Sequence, residues 1–186
     1  MMIILKTKRL ILRAWQGDDA EALYECAKNP LIGPAAGWRV HTSVNYSRQI
    51  ICDYFNDDEI YAVVCPNITD KPIGCIGLKR GKDSTLIENE NEAEIGYWLK
   101  HDFWRRGIMT EAAMRVLEHA FADLKLSKVW GGYYNDNIAS FRVQKKCGMI
   151  YQYSKEVYLP LLDENRTEHV LCITAEQWYK QRLHHI

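Results

Sequence analysis

The sequence predicts one α/β domain built on a mixed sheet, and three observations carry that expectation. Strand-like segments of alternating or continuous apolar residues are interleaved with segments of helical period along the whole chain. The run AEIGYWLK (93–100) has an almost continuous apolar centre, as a strand covered on both faces does. Finally, 186 residues without a linker, repeat or low-complexity tract suffice for one sizeable core.

RLILRAW (9–15) alternates and reads as the first strand, and GDDAEALYECAKN (17–29) as a helix opened by Asp18. NPLIGPAAGW (29–38) is loop, because two prolines and two glycines break any period. TSVNYSRQIICDYFND (42–57) is a second amphipathic helix with Ile50, Ile51, Tyr54 and Phe55 turned inward. EIYAVVC (59–65) and PIGCIGLKR (72–80) form a hairpin across PNITDKP, and the acidic GKDSTLIENENE (81–92) connects it to the strand at 93–100. Helix follows from about Thr110 to Lys125, then strand 127–135, helix 137–147 stopped by Gly148, and strands 149–159 and 167–175. EQWYKQRL is a short C-terminal helix, and His184 and His185 are tail residues.

Composition excludes several classes. Lys+Arg and Asp+Glu are both 24, so nothing marks a dedicated nucleic-acid binder. The six cysteines contain no C-x-x-C pair and read as reduced, mostly buried thiols. Lys6, Lys8 and Arg9 interrupt the apolar start before it reaches signal-peptide length, and no apolar run approaches a membrane span. The expectation is a cytoplasmic protein. The histidines His41, His101, His119 and His169 share no ligand spacing, so no metal is expected.

The informative unit is the strand–loop–helix from Ala93 to Lys125. It sets WRRGIMT at a helix N-terminus, where backbone N–H groups lack partners and the dipole is positive. Gly107 permits close approach, and Arg105 and Arg106 strengthen the positive field, so a phosphate or pyrophosphate suits the place. The plain alternative is a turn glycine beside two solvated arginines. A G-x-x-x-x-G-K-[ST] loop is missing, and IGCIG (73–77) lacks dinucleotide-fingerprint spacing.

AEIGYWLKHDFWRRGIMTEA followed by NDNIASFRVQKKCGM resembles the GCN5-related N-acetyltransferase (GNAT) superfamily, and TKRLILRAWQGDDAEALYE extends the likeness over nearly the whole chain. The nearest pattern is the ribosomal-protein N-terminal acetyltransferase (Rim-type) branch. The signature loop departs from the family at Trp104 and Met109. The resemblance implies a single α+β domain over 1–186. Its sheet is mixed and mostly antiparallel, of about seven strands with a central splayed parallel pair, flanked by about four helices. It implies acetyl-CoA as acetyl donor, with pyrophosphate on the amides from Arg105 through Gly107, Ile108 and Met109 to Thr110. The pantetheine arm would lie near the Trp98 and Leu99 backbone, Asn137 would bond it, and Lys146, with Arg142 and Lys145, would offer a basic side.

For the chemistry, an amine must lose a proton, a carbonyl oxygen needs a donor, and a thiolate gains from a proton. Glu94 is the candidate base, with a strand-end glutamate paired to a lysine as the plain alternative. Ser140, on the N-x-x-S position, is the candidate acid, since Gln144 stands where other branches carry a tyrosine. A strand N–H near Tyr97 is the candidate oxyanion donor. Trp38 and His41 fall in the region that shapes the acceptor pocket. The implied activity is direct acetyl transfer to a primary amine, either a protein N-terminus or a small molecule. A non-catalytic acyl-CoA-binding module of the same fold is the alternative. An exposed final hairpin is the surface a homodimer would use.

Overall fold

The computed structural model describes residues 3–57, 59–81 and 84–183; His184 and His185 lie outside them. The strands are β1 (Leu5–Lys6), β2 (Ile11–Ala14), β3 (Ile60–Cys65), β4 (Thr69–Lys79), β5 (Glu92–Leu99), β6 (Lys128–Tyr134), β7 (Ile150–Leu159) and β8 (Glu164–Thr174). The helices are α1 (Ala20–Ala27), α2 (Val44–Tyr54), α3 (Ile108–Ala122), α4 (Ile138–Lys146) and α5 (Ala175–Leu183). One eight-stranded sheet runs β1-β2-β3-β4-β5-β6-β8-β7. Every pairing is antiparallel except β5–β6.

That exception positions the site. β5 and β6 pair only from Glu92 opposite Lys128 to Glu94 opposite Trp130. Beyond Glu94, β5 remains paired to β4 as far as Leu99, and β6 remains paired to β8 as far as Tyr134. The two central strands therefore part like a V, and the resemblance's splayed pair is present. Glu92 closes the apex: its buried carboxylate accepts from the Trp130 indole at 2.7 Å and faces Lys128 at 3.4 Å. Burial alone would raise its pKa, but the bonds from Trp130, the Glu88 backbone and Asn89 outweigh that and hold it at about 2.

Both faces of the sheet are covered. Tyr61, Val63, Ile76, Leu78 and Ile95 pack under α3 and α5 with Val116, Leu117 and Trp178. On the other face Ala62 and Cys75 meet Trp15, Leu23 and Ile51 of the α1–α2 side. Period-2 alternation thus sends neighbouring residues of β3 and β4 into two different cores, which explains strands that read as continuously apolar. Pro72 sits in β4 where the register with β3 shifts, a place where a missing N–H is tolerated.

The structure departs from the sequence reading at boundaries. An eighth strand, β1, arises from two residues that pair with Leu12 and Ile11, too short to show a period. The C-terminal helix read at EQWYKQRL is present as α5, which makes five α-helices among the described residues against the four or so that the resemblance implied. Asp18 does not open α1. Asp19 does the fastening: its carboxylate accepts from the Gln16 N–H at 2.9 Å and takes two bonds from Arg13, at 2.6 and 2.9 Å. A 3-10 turn over Gly17–Asp19 then leads into α1 at Ala20. Ser43, not Thr42, caps α2, accepting from Tyr46 N–H at 3.1 Å. All six cysteines are free, and only Cys52 is exposed.

Candidate functional site

The loop between β5 and α3 has the shape an anion needs. Arg105 (φ 61°) and Gly107 (φ 73°) both adopt left-handed backbone just before α3 begins at Ile108, a conformation that lets neighbouring N–H groups share one anion. Ile108 and Met109 bury their side chains in the core, so only their amides face the loop, and Met109 in place of a small residue obstructs nothing. Arg106 lies over the Phe103 ring, 5.4 Å from its centroid, and does not line the cleft.

A brace from the chain's start holds this loop. Arg9 donates from Nη1 to the Arg106 carbonyl at 3.0 Å and from Nε to Glu111 Oε2 at 2.6 Å. Thr7 Oγ1 and Arg9 N–H donate to Glu111 Oε1 at 2.6 and 3.0 Å. Glu111 stands in the first turn of α3, where a bare carboxylate would oppose an anion. Arg9 neutralises it. Sequence reasoning missed this pair; the signal available was an acid four residues after Gly107 with no visible partner nearby in the sequence.

From the loop a cleft of about 480 Å³ runs between the splayed strands and α4. Trp98, Leu99, Arg105, Gly107, Ile108, Met109, Thr110, Asn137, Ser140 and Lys146 all line it, with Arg142 beside Lys146. Lys100 N–H donates to Ile73 of β4, so strand alternation turns the Trp98 backbone the same way and that of Tyr97 and Leu99 into the cleft. The Leu99 carbonyl already accepts from the Trp104 indole at 2.7 Å. Asn137 is the N-cap of α4: Oδ1 accepts from Ser140 N–H at 3.1 Å and Nδ2 donates to Ala35 O at 3.0 Å.

A second cavity of about 660 Å³ continues past Tyr97 and Ser140. Tyr97, Trp98, Asn137, Ser140, Ala35 and Ala36 wall both spaces, so the two meet where the strands have parted. Here Tyr97 Oη donates to the Ser140 carbonyl at 3.1 Å. Gln144, buried, donates from Nε2 to Gly132 O at 3.0 Å and to Ser140 Oγ at 3.3 Å. Ser140 Oγ thus accepts from Gln144 and also lies 3.1 Å from Tyr97 Oη, a partner for its own proton. Gln144 supplies no proton itself; it donates to the Ser140 hydroxyl.

Glu94 lines the second cavity, 3.4 Å from Lys79 Nζ and accepting from Ser84 Oγ at 2.7 Å. The lysine pairing considered as the plain alternative therefore exists, on a carboxylate that also faces the cavity. Opposite stands Glu168 of β8, which the sequence reading did not single out. Burial, opposed by Lys155 at 3.4 Å and aided by the negative charge of Glu94, keeps its carboxyl above the ordinary range. It fell in an alternating strand like any other polar position, and only the splay reveals that it looks across at Glu94. Tyr134, beside the pair, is pushed up to about 12 by burial and by both carboxylates. Trp38 and His41 line the same cavity; His41 Nδ1 lies 2.8 Å from Ser47 Oγ, and burial lowers its pKa, leaving a neutral imidazole at pH 7.

The family model for the acetyltransferase (GNAT) domain matches residues 9–150. The chain belongs to the GNAT family. It is similar to the uncharacterized N-acetyltransferase YoaA of Bacillus subtilis (strain 168), 31% identical over 152 residues, which are 80% of this chain and 83% of YoaA. A second relative, YnaD of the same organism, is 25% identical and covers 94% of this chain and 98% of its own. Among solved structures, a GNAT-family acetyltransferase from Bacillus anthracis superposes with TM-score 0.82 at 22% identity, covering 94% of this chain and 99% of that one. Mycobacterium smegmatis RimJ in complex with CoA-disulfide superposes with TM-score 0.72 at 19% identity, covering 90% and 83%. This acetyltransferase is an N-acetyltransferase of a family that uses acetyl-CoA, and its other substrate is an amine acceptor. Among the described residues no helix is long and apolar enough to cross a membrane, and no cluster of potential ligands could hold a metal.

Proposed function

We propose that residues 1–186 act as one N-acetyltransferase domain that moves an acetyl group from acetyl-CoA directly to a primary amine, both bound at once. The observation that carries this reading is the junction of two cavities at Tyr97 and Ser140, one ending in an amide-lined anion loop and the other in a carboxylate pair. The donor set suits acetyl-CoA: amides of Arg105 to Thr110 for pyrophosphate, Arg142 and Lys146 for further phosphate, and the cleft-facing Tyr97 and Leu99 backbone for the arm. Bound there, acetyl-CoA supplies an acetyl thioester. The N-x-x-S arrangement of Asn137 and Ser140 and the likeness to RimJ support a place near the Rim-type branch.

Glu168 receives the amine's proton, its raised pKa making it a stronger base than an ordinary carboxylate. Glu94, held by Lys79 and Ser84, keeps that pKa up and shares the amine's hydrogen bonds. The Tyr97 N–H, turned into the cleft, would bond the oxygen that gains charge, and Ser140 Oγ would relay to the departing sulfur the second proton that the acylated nitrogen loses. One observation supports direct transfer over a cysteine acyl-enzyme. Cys75 lines the acceptor cavity, but burial pushes its thiol up to about 12, so no thiolate waits there to take the acetyl group.

Calorimetric titration with acetyl-CoA and thiol release with an amine panel test the reading together. Glu168→Gln and Glu94→Gln should bind acetyl-CoA as the parent does, with kcat lower by about 10²-fold or more for the first. Unchanged turnover in both variants would remove the carboxylates from the mechanism. Binding without turnover of any amine by the parent protein would leave a non-catalytic acyl-CoA-binding module.

A further inference from the structure

The second cavity has walls that fit one class of amine better than others. Eight phenylalanine, tyrosine and tryptophan rings line it, among them Trp38, Tyr46, Phe55, Trp98, Tyr133 and Tyr134, and its carboxylates gather at the inner end, where Glu94 and Glu168 are largely buried. Its outer end lies between α2 and the β7–β8 turn, where Tyr46 and Leu161 are exposed. The rings are set by packing before any ligand arrives: Trp38 sits edge-on to Trp98 at 6.3 Å and against His41 at 5.2 Å, and His41 against Tyr46 at 4.9 Å.

The lysines at the inner end are paired, Lys79 with Glu94 and Lys155 with Glu168, and burial lowers the pKa of His41. Arg39, donating to the Leu161 carbonyl, keeps its charge at the outer end. A carboxylate beside the amine would therefore find two carboxylates and no unpaired cation at the inner end. The loop over 33–38 roofs the junction and is strapped on both sides, by Arg166 to Pro34 O at 2.7 Å and by Asn137 to Ala35 O at 3.0 Å. A polypeptide threaded beneath it would need partners for each backbone N–H and C=O, and walls of rings supply few.

From this geometry we infer that the acceptor is a free small primary amine on an aromatic or comparably apolar body, without a carboxylate beside the amine. The inference rests on the N-acetyltransferase reading above. The ammonium would enter last, reach Glu94 and Glu168, and lose its proton there, while the body stays among the rings. A space of about 660 Å³ lies within the range that holds drug-sized ligands.

Thiol release at saturating acetyl-CoA, compared per concentration of free base, separates the classes. The panel is phenethylamine, phenylalaninamide, phenylalanine and an unblocked hexapeptide. Phenethylamine should exceed phenylalanine and the hexapeptide in kcat/KM by about tenfold or more, with phenylalaninamide closer to phenethylamine than phenylalanine is. Trp38→Ala should raise KM for phenethylamine by roughly tenfold with kcat little changed, and Trp38→Phe, which keeps a ring, should recover most of it. Phenylalanine or the hexapeptide accepted as well as phenethylamine would overturn the inference and leave the N-acetyltransferase standing. No thiol release with any of the four or with a broad set of other amines would sink the transferase reading and this inference with it.

Discussion

The donor cleft and the acceptor cavity share a wall but are made of different material. The anion loop is backbone: two left-handed residues and the first amides of α3, contiguous in the chain, with Ile108 and Met109 anchoring them from below. The acceptor cavity is side chain, gathered from Trp38, α2, β5, β6 and β8, and depends on each residue's identity. A site made of amides tolerates most substitutions that leave the backbone alone. A site made of rings and carboxylates changes specificity with nearly every substitution. Family membership therefore fixes the donor more firmly than the acceptor.

The sharpest way to break this contrast is to strain the backbone of the donor loop. A Cβ at Gly107 would meet nothing closer than Arg9 Nη2 at 3.7 Å, so space is not the obstacle. The obstacle is φ 73°, which a β-branched residue resists by roughly 1–3 kcal/mol. Gly107→Val should weaken acetyl-CoA binding by about 10- to 100-fold in calorimetry while leaving the KM for amine nearly unchanged. Equal damage to both substrates would mean that the two sides are not separately built.

A smaller effect tests the brace. Arg9→Met removes the bond to the Arg106 carbonyl and leaves Glu111 without its counter-charge beside the anion loop. Acetyl-CoA binding should weaken by about fivefold, the worth of roughly one hydrogen bond on a partly exposed arginine. Adding Glu111→Gln should restore part of the loss, because the uncompensated carboxylate has then gone as well. A double variant as weak as the sum of the two singles would confine Arg9 to holding the loop's shape.

How far each side could be read from the sequence follows the same division. The strand–loop–helix around Gly107 is local, and the periods of β5 and α3 with a glycine between them announce it. The paired strands were legible where period 2 ran for several residues and invisible at Leu5–Lys6, where it could not. Glu94 was findable because it lies on the strand that enters the loop. Glu168 was not, since it faces Glu94 only through the departure of β6 from β5 after Trp130, a long-range geometry no local pattern encodes. Gln144 likewise read as a missing acid, when it is buried against Gly132 and donates to the Ser140 hydroxyl.

The least effect expected is a displacement along the pH axis, and it distinguishes a base from a mere binding group. Lys155 opposes the burial that raises the Glu168 carboxyl, so Lys155→Met should let it rise further. The base works in its charged form, so the acidic limb of kcat/KM should move to higher pH, with the alkaline plateau unchanged. Stability gives an independent sign. Glu168 titrates higher in the folded than in the unfolded chain, whose carboxyl lies near 4.5, so the fold holds its proton more tightly and loses stability as pH rises past that value. Lys155→Met enlarges that loss at pH 7 and contributes none where both states are protonated. A variant whose Tm falls at pH 7 while its rate profile stays in place would have a buried Glu168 that binds the amine and takes no proton from it.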